Sequence, residues 1–231
     1  MEEKVKELIE ALECETVFTI PIGNGIPVKE STVVTWIIMA FFVIIAIILT
    51  NRLRTTGIGK KQAVTELIVT KLFGLVEGMV GEEGKDYVPY LVTVMLYLGV
   101  SNIIGIFGFK PPTKDLNVTL ALAVMSIMLV QIAGIRAKGV KGWLKSFTQP
   151  IAIVTPFNIL DLFTRPLSLC MRLFGNVLGA FVIMELIETM VTKAALPALF
   201  SLYFDLFDGL LQAYVFVFLT SLYIKEAIET E

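Results

Sequence analysis

Long runs of uncharged apolar residues dominate the pattern along the chain. Three of them, at residues 33–49, 87–107 and 117–135, are long enough to cross the roughly 30 Å hydrocarbon core of a bilayer as helices. Two further long segments, at 150–190 and 195–224, are apolar but contain several charged residues. The pattern therefore predicts an all-α, polytopic membrane protein with five crossings.

Polar segments separate these spans. Residues 1–32 are expected to form an external tail, in which residues 2–13 form either a short amphipathic helix, as their spacing indicates, or a frayed polar segment. A basic loop is predicted after the first span, and residues 62–79 within it have amphipathic spacing. Residues 136–145 are predicted to form a second basic loop, and residues 150–164 an interfacial helix interrupted by two prolines. We expect residues 1–231 to form a single membrane domain.

Lysine and arginine are concentrated in the two basic loops. Because cytoplasmic loops carry the excess of basic residues, this distribution predicts an external N-terminus and a cytoplasmic C-terminus. The expected location is the cell membrane.

Composition excludes several classes of function. Only 17% of the residues are charged and 56% are hydrophobic, and the net charge of −2 indicates no nucleic-acid partner. The absence of histidine excludes Ser-His-Asp catalysis and most zinc and haem sites, so no cofactor or metal is expected. The Gly-Lys pairs at 59–60 and 84–85 lack the other residues of a phosphate-binding loop, which disfavours nucleotide hydrolysis.

A single arginine lies well inside the fourth apolar segment. Arg172 is expected at hydrocarbon depth, where a charge costs at least about 2.5 kcal/mol, and arginine cannot lose its proton. An arginine near a helix end can instead reach the headgroups, which fits Arg165 better. At 100° per residue, Gly175, Asn176 and Gly179 share the face of Arg172. Glycines spaced in this way let another helix approach, and alone they indicate ordinary helix packing. Together with the fixed charge of Arg172, they predict a partner helix that bears a carboxylate.

The last apolar segment has acidic residues on one face. At α-helical spacing, Asp205, Asp208 and Gln212 lie on the same side. Carboxylates in a membrane helix are costly unless water or a partner reaches them. In the predicted orientation, both aspartates lie towards the external side, as do Glu185 and Glu188. These acids predict an aqueous inlet that ends near the middle of the membrane.

Two C-terminal motifs resemble those of a known family. The stretch RPLSLCMRLFGNVLGA at 165–180 closely resembles the signature of subunit a of F-type ATP synthases. The stretch GLLQAYVFVFLTSLYI at 209–224 resembles the terminal helix of that family, and DLNVT at 115–119 resembles the opening of its third span. The resemblance extends over essentially the whole chain.

The resemblance implies roles for individual residues. Arg172 matches the family's essential stator arginine, and Gln212 matches the glutamine that faces it. Asn176 matches a polar residue one turn beyond the arginine, and Ser168 matches a small polar residue one turn before it. Asp205 occupies a position that is usually acidic or histidine.

One position departs from the family pattern. Five residues after Asn176, where many members carry Glu or His, this chain has Phe181. Glu185 lies one turn later on nearly the same face and is the expected replacement. The departure therefore changes which side chains are expected to form the inlet, and the family assignment is unaffected.

The resemblance also implies a function and partners. It implies an ion-translocating stator subunit with two half-channels for H⁺ or Na⁺, which couples ion flow to rotation and ATP synthesis and is not an enzyme by itself. The implied partners are the c-subunit ring, the b subunits of the peripheral stalk, the rest of the ATP synthase complex and the lipid bilayer. The last two helices are expected to form a tilted hairpin against the ring. A secondary ion-coupled transporter is the alternative, although such proteins usually contain inverted repeats.

Overall fold

The computed structural model of the chain describes residues 16–21, 26–51, 59–107, 109–148, 152–190, 200 and 202–229. The amphipathic helix predicted at residues 2–13 lies outside this part of the chain. The described residues are overwhelmingly helical, with one short β-hairpin.

Six α-helices are present among the described residues. They are α1 (Glu30–Thr50), α2 (Lys60–Val80), α3 (Val88–Ile103), α4 (Leu116–Ser146), α5 (Thr155–Met190) and α6 (Gly209–Ile228). Short 3₁₀ turns lie at Glu82–Tyr87, Ile104–Phe107, Pro112–Lys114 and Ala152–Val154. A π-helix, Leu202–Asp208, leads directly into α6.

Five helical stretches are long and apolar enough to cross a membrane. They are Glu30–Thr50, Glu82–Phe107, Leu116–Ser146, Thr155–Met184 and Leu202–Ile228. This result confirms the predicted all-α polytopic class and its five crossings.

A β-hairpin before α1 was not predicted. Strands β1 (Thr16–Ile20) and β2 (Ile26–Lys29) pair antiparallel, with Phe18 opposite Val28. Both strands are rich in β-branched or aromatic residues, which favour a pleated conformation. These residues belong to the predicted external tail, for which no strand was expected.

The segment predicted as the second basic loop is helical. Helix α4 continues through it, with one non-helical residue at Gly139 (φ 69°, ψ 163°). This left-handed φ is accessible to glycine because it lacks a Cβ atom. Trp143 Nε1 donates to Gln131 Oε1 at 2.9 Å, across 12 residues that would span about 18 Å in a straight helix. The chain therefore doubles back at Gly139, and we call this bend the Gly139 elbow.

The interfacial helix predicted at 150–164 and the span after it form one helix, α5. Pro166 lies inside this helix and cannot donate a backbone hydrogen bond to the preceding turn. Membrane helices tolerate such a proline because neighbouring groups satisfy the freed carbonyl. The interfacial helix predicted at 150–164 is therefore not a separate element but the first part of α5.

The helix predicted within the first basic loop is confirmed as α2. Its apolar residues Val64, Leu67 and Ile68 are exposed, and the helix ends at Gly81, whose φ is +84°. Lys61 Nζ donates to the Ile48 carbonyl near the end of α1, at 2.7 Å.

The chain divides into two compact units, each built from several segments. The first unit comprises residues 1–40, 97–119 and 171–213, and the second comprises 41–96, 120–170 and 214–231. Fully buried side chains of the first unit include Leu98 and Leu173, and those of the second include Leu91, Phe216 and Ile224.

Candidate ion-translocation site

The face of α5 that carries Arg172 is open. Arg172, Gly175 and Asn176 are exposed, whereas Leu173 on the other side of the helix is completely buried. A Cβ atom added at Gly175 or Gly179 would meet nothing within 4 Å. The two glycines thus leave open space on the face that carries the exposed side chains of Arg172 and Asn176.

Arg172 makes no hydrogen bond or ion pair with any described residue of its own chain. Its guanidinium lies on the exposed face, two residues from the core contact at Cys170. An arginine at hydrocarbon depth is costly unless a counter-charge or water reaches it. Ser168, also exposed, lies one turn before Arg172 along the same helix.

Asn176 and Gln212 join α5 to α6. Asn176 Nδ2 donates to Gln212 Oε1 at 2.8 Å, and Gln212 is only 2% exposed. Gln212 Nε2 is buried and has no hydrogen-bond partner among the described residues. A buried donor without an acceptor costs about 1–3 kcal/mol of stability. An acceptor from outside the described residues that bonded to this amide nitrogen would remove that cost. The structure therefore brings two of the predicted site residues together.

A buried polar network holds the start of α6. Asn102 Nδ2 donates to the Gly209 carbonyl at 2.9 Å, and Thr113 Oγ1 donates to Asn102 Oδ1 at 2.9 Å. Asn102 and Thr113 are almost completely buried. Sequence reasoning missed both residues, although an asparagine at the end of an apolar span was a usable signal. The network fixes the backbone directly after Asp208.

The departure at Phe181 has a structural counterpart. Lys114 Nζ lies 3.5 Å from the centroid of the Phe181 ring, and Lys114 is only 4% exposed. A desolvated ammonium over an aromatic face gains a cation–π interaction. The position that is often Glu or His in the family therefore contacts a buried cation through its ring. The replacement role predicted for Glu185 stays a prediction, because that side chain lies outside the described residues.

Asp115 anchors the loop before α4. Ser31 Oγ donates to its Oδ2 at 2.9 Å, and the backbone N–H and Nδ2 of Asn117 donate to its Oδ1 at 3.0 Å each. Lys29 Nζ lies 3.6 Å from Oδ2. Burial acts to raise the pKa of Asp115, but the Asn117 and Ser31 hydrogen bonds and the Lys29 charge outweigh it and lower the pKa.

The predicted inlet acids are only partly described. The side chains of Asp205, Glu185 and Glu188 lie outside the described part of the structure, and Asp208 is half-buried. Residues 202–208 form a π-helix with i→i+5 hydrogen bonds, so the α-helical spacing assumed for Asp205 and Asp208 was wrong. Among the described residues, no group of three or more His, Cys, Asp or Glu side chains could hold a metal ion.

Arg165, in the second unit, is engaged by its own chain. Its Nη2 lies 2.8 Å from Glu226 Oε1 and 3.4 Å from Asp161 Oδ2, and its guanidinium lies 4.9 Å from the Tyr223 ring centroid. The headgroup contact expected for Arg165 is thus replaced by carboxylate and aromatic partners. Arg165 and Arg172 differ in this respect, although they lie on the same helix.

These features define a polytopic helical membrane protein. Over residues 32–225, the chain matches the family model described as ATP synthase A chain. The chain therefore belongs to the ATP synthase subunit a family, as its C-terminal motifs predicted.

Individual relatives align with this chain over most of its length. It is 36% identical over 204 residues to ATP synthase subunit a of Moorella thermoacetica, covering 88% of this chain and 92% of the relative. It is 32% identical over 220 residues to a protein of Propionigenium modestum named ATP synthase subunit a, sodium ion specific, covering 88% and 75%. A Legionella pneumophila subunit a is 31% identical over 213 residues, covering 92% and 91%. The chain is thus a multi-pass component of the membrane sector of an ATP synthase.

Proposed function

We propose that this chain is the ion-translocating stator subunit, which passes H⁺ or Na⁺ through two half-channels to and from carboxylates on a c-subunit ring. The chain performs no bond chemistry itself, and ATP is made on other subunits. The observation that carries the proposal is the open face of α5, where Arg172 lies beside Gly175 and close to the Asn176–Gln212 hydrogen bond.

The open face suits a moving partner. A helix of the ring can approach closely at Gly175 and Gly179, because no side chain of this chain's described part fills the space above them. A carboxylate on that helix would meet Arg172, which has no ion-pair partner among the described residues. The buried Nε2 of Gln212 offers a further hydrogen-bond donor next to Asn176.

Ion entry is assigned to the acids of the inlet. In this proposal an ion passes Glu185, Asp205 and Asp208 from the external side and neutralises a ring carboxylate. A neutral carboxylic acid can face lipid at much lower cost than a carboxylate, so the ring can then rotate. A second aqueous path on the cytoplasmic side releases the ion.

Arg172 has two effects in the cycle. Its positive charge lowers the proton affinity of the approaching ring carboxylate and so favours release. It also places a fixed cation between the two half-channels, which prevents ions from crossing directly. The membrane potential supplies about 2.3 kcal/mol per elementary charge per 100 mV, which biases rotation in one direction.

The other partners and the orientation follow the same proposal. The N-terminus is external and the C-terminus cytoplasmic, which places the basic residues of α2 and of the Gly139 elbow in the cytoplasm. The b subunits of the peripheral stalk hold the chain against rotation. Both H⁺ and Na⁺ fit the inlet acids, and Na⁺ activation of ATP hydrolysis by the whole complex distinguishes the two ions.

Arg172→Ala tests the proposal. We expect assembled complex carrying this variant to lose ATP synthesis driven by an ion gradient, because the counter-charge for the ring carboxylate is gone. Arg136→Ala is the matched control, since Arg136 is exposed on α4 and outside the proposed path. Assembly is checked by co-purification of the c subunit. Normal ATP synthesis by assembled Arg172→Ala complex would disprove the mechanism.

A further inference from the structure

A lysine is buried in the loop before α4, on the side of the chain that the proposed orientation makes external. Lys114 ends the 3₁₀ turn Pro112–Lys114 and is only 4% exposed. Lysine is almost never fully buried, because taking an ammonium group out of water is costly. The ion path proposed above gives this residue no role.

The ammonium group of Lys114 lies against the α5 side of the proposed inlet. Its Nζ atom is 3.5 Å from the centroid of the Phe181 ring. Phe181 occupies the position where many family members carry Glu or His. Glu185, which the proposal assigns to the inlet, follows one turn later on nearly the same face of α5. A buried positive charge thus lies at the part of α5 along which the proposed inlet runs.

The turn that contains Lys114 is also tied to the α6 side of the inlet. Thr113, the residue before it, donates to Asn102 Oδ1 at 2.9 Å. Asn102 Nδ2 donates in turn to the carbonyl of Gly209 at 2.9 Å, and Asp208 directly precedes Gly209 in the chain. Two hydrogen bonds therefore join the residue next to Lys114 to the backbone beside an inlet acid.

The other charges around this turn form pairs of opposite sign. Lys29 Nζ, at the end of β2, lies 3.6 Å from Asp115 Oδ2, and Lys110 Nζ lies 3.2 Å from Glu30 Oε2. The side chains of Lys29 and Lys110 are 40% and 35% exposed, so water and salt screen their charges. The charge of Lys114 is screened much less, because this residue is buried.

We propose that Lys114 sets the affinity of the inlet for the transported cation, and this role rests on the ion path proposed above. A nearby positive charge weakens the binding of a cation, whether H⁺ or Na⁺, to a carboxylate. An ion that binds too tightly in a channel does not leave it, so weaker binding in the inlet favours transfer to the ring carboxylate. Removal of the charge makes the local potential more negative whatever other groups the ammonium contacts, which fixes the direction of the effect.

The test uses the assembled ATP synthase in liposomes, with the external face of the complex towards the lumen. ATP synthesis at a fixed potassium–valinomycin potential is measured while lumenal H⁺, or in a separate series lumenal Na⁺, is varied. Lys114→Met keeps an unbranched side chain against the Phe181 ring and removes the charge. The half-saturating concentration of the driving ion should fall about tenfold, the effect of a unit charge about 10 Å away at an effective dielectric constant near 20.

Three further variants separate charge from packing. Lys114→Arg keeps the charge and should retain the wild-type half-saturating concentration. Lys110→Gln is the matched control, because it removes a screened charge from the same loop, and it should also behave as wild type. Lys114→Gln is a second neutral variant, which decides the matter if Lys114→Met does not co-purify with the c subunit.

Several outcomes would overturn the role of Lys114. They are an unchanged or raised half-saturating concentration in the neutral variants, a change in their maximal rate alone, or an equal shift in Lys114→Arg. Arg172→Ala is measured in the same liposomes. Normal synthesis by Arg172→Ala would refute the ion path and the role of Lys114 with it. Loss of synthesis in Arg172→Ala, with wild-type half-saturation in the neutral variants, would refute only the role of Lys114.

Discussion

Gly209 lies where α6 comes against Asn102 of α3, and Gly209→Ala tests this contact. A Cβ atom at Gly209 would lie 2.8 Å from Asn102 Cβ, closer than two carbon atoms tolerate. The added methyl group must therefore displace α6, and the 2.9 Å hydrogen bond from Asn102 to the Gly209 carbonyl is then lost.

The expected change in the free energy of unfolding has three contributions. Overpacking a buried contact costs about 1–3 kcal/mol. The lost hydrogen bond costs a further ~0.5–1.5 kcal/mol. Alanine recovers about 1 kcal/mol through its higher helix propensity. The net expectation is a destabilisation of about 0.5–3.5 kcal/mol, and its upper part is a large fraction of the stability of a typical domain.

The measurement is the free energy of unfolding of the full-length chain in detergent micelles, followed by ion pumping in the assembled complex. Gly175→Ala is the matched control for the unfolding free energy, because a Cβ atom there meets nothing within 4 Å. Gln212 lies one turn beyond Gly209, so the displaced α6 should also lower pumping. Equal stability of the Gly209→Ala and Gly175→Ala chains would refute the reasoning.

Three further predictions concern other parts of the site. Gly175→Leu should leave the fold of the chain intact but stop rotation-coupled ATP synthesis, because the new side chain enters the space proposed for the ring. Unimpaired synthesis would show that this face meets only lipid. Phe181→Leu should destabilise the chain by about 2 kcal/mol through loss of the desolvated cation–π contact with Lys114, whereas Phe181→Tyr keeps this contact. Equal free energies of unfolding for the two variants would contradict this prediction. The lowered pKa of Asp115 means that its carboxylate stabilises the fold above about pH 4, and this contribution disappears as the pH falls through the lowered pKa. Asp115→Asn should therefore be less stable than wild type at pH 7 but converge with it in acid, and a pH-independent difference would count against the assignment.

The spans were predictable because they depend on local composition. A run of apolar residues long enough to cross a bilayer forms a helix wherever it lies, since no other open structure satisfies its backbone in lipid. The shared face of Arg172, Gly175 and Asn176 follows from helical spacing alone, and the structure shows these residues on one exposed side. The family resemblance implied that Gln212 faces Arg172, and the hydrogen bond that the structure gives Gln212 goes instead to Asn176, one turn further along α5.

The remaining features depend on contacts between distant segments. The buried bridge through Asn102 requires that α3, the loop before α4 and the start of α6 meet, which no local pattern encodes. The same holds for Lys114, whose place over Phe181 joins residues 67 positions apart in the numbering. The π-helix at Leu202–Asp208 was missed because its extra width leaves no compositional signature.

The Gly139 elbow has a consequence for how the chain fits its bilayer. A straight helix of 31 residues would be about 46 Å long, well beyond the roughly 30 Å hydrocarbon thickness. Because the chain turns back at Gly139, the residues after it add nothing to the transmembrane length of α4. The elbow thus folds the basic segment that follows it back along the span, where Trp143 reaches Gln131, whereas a straight helix would carry that segment away from the membrane.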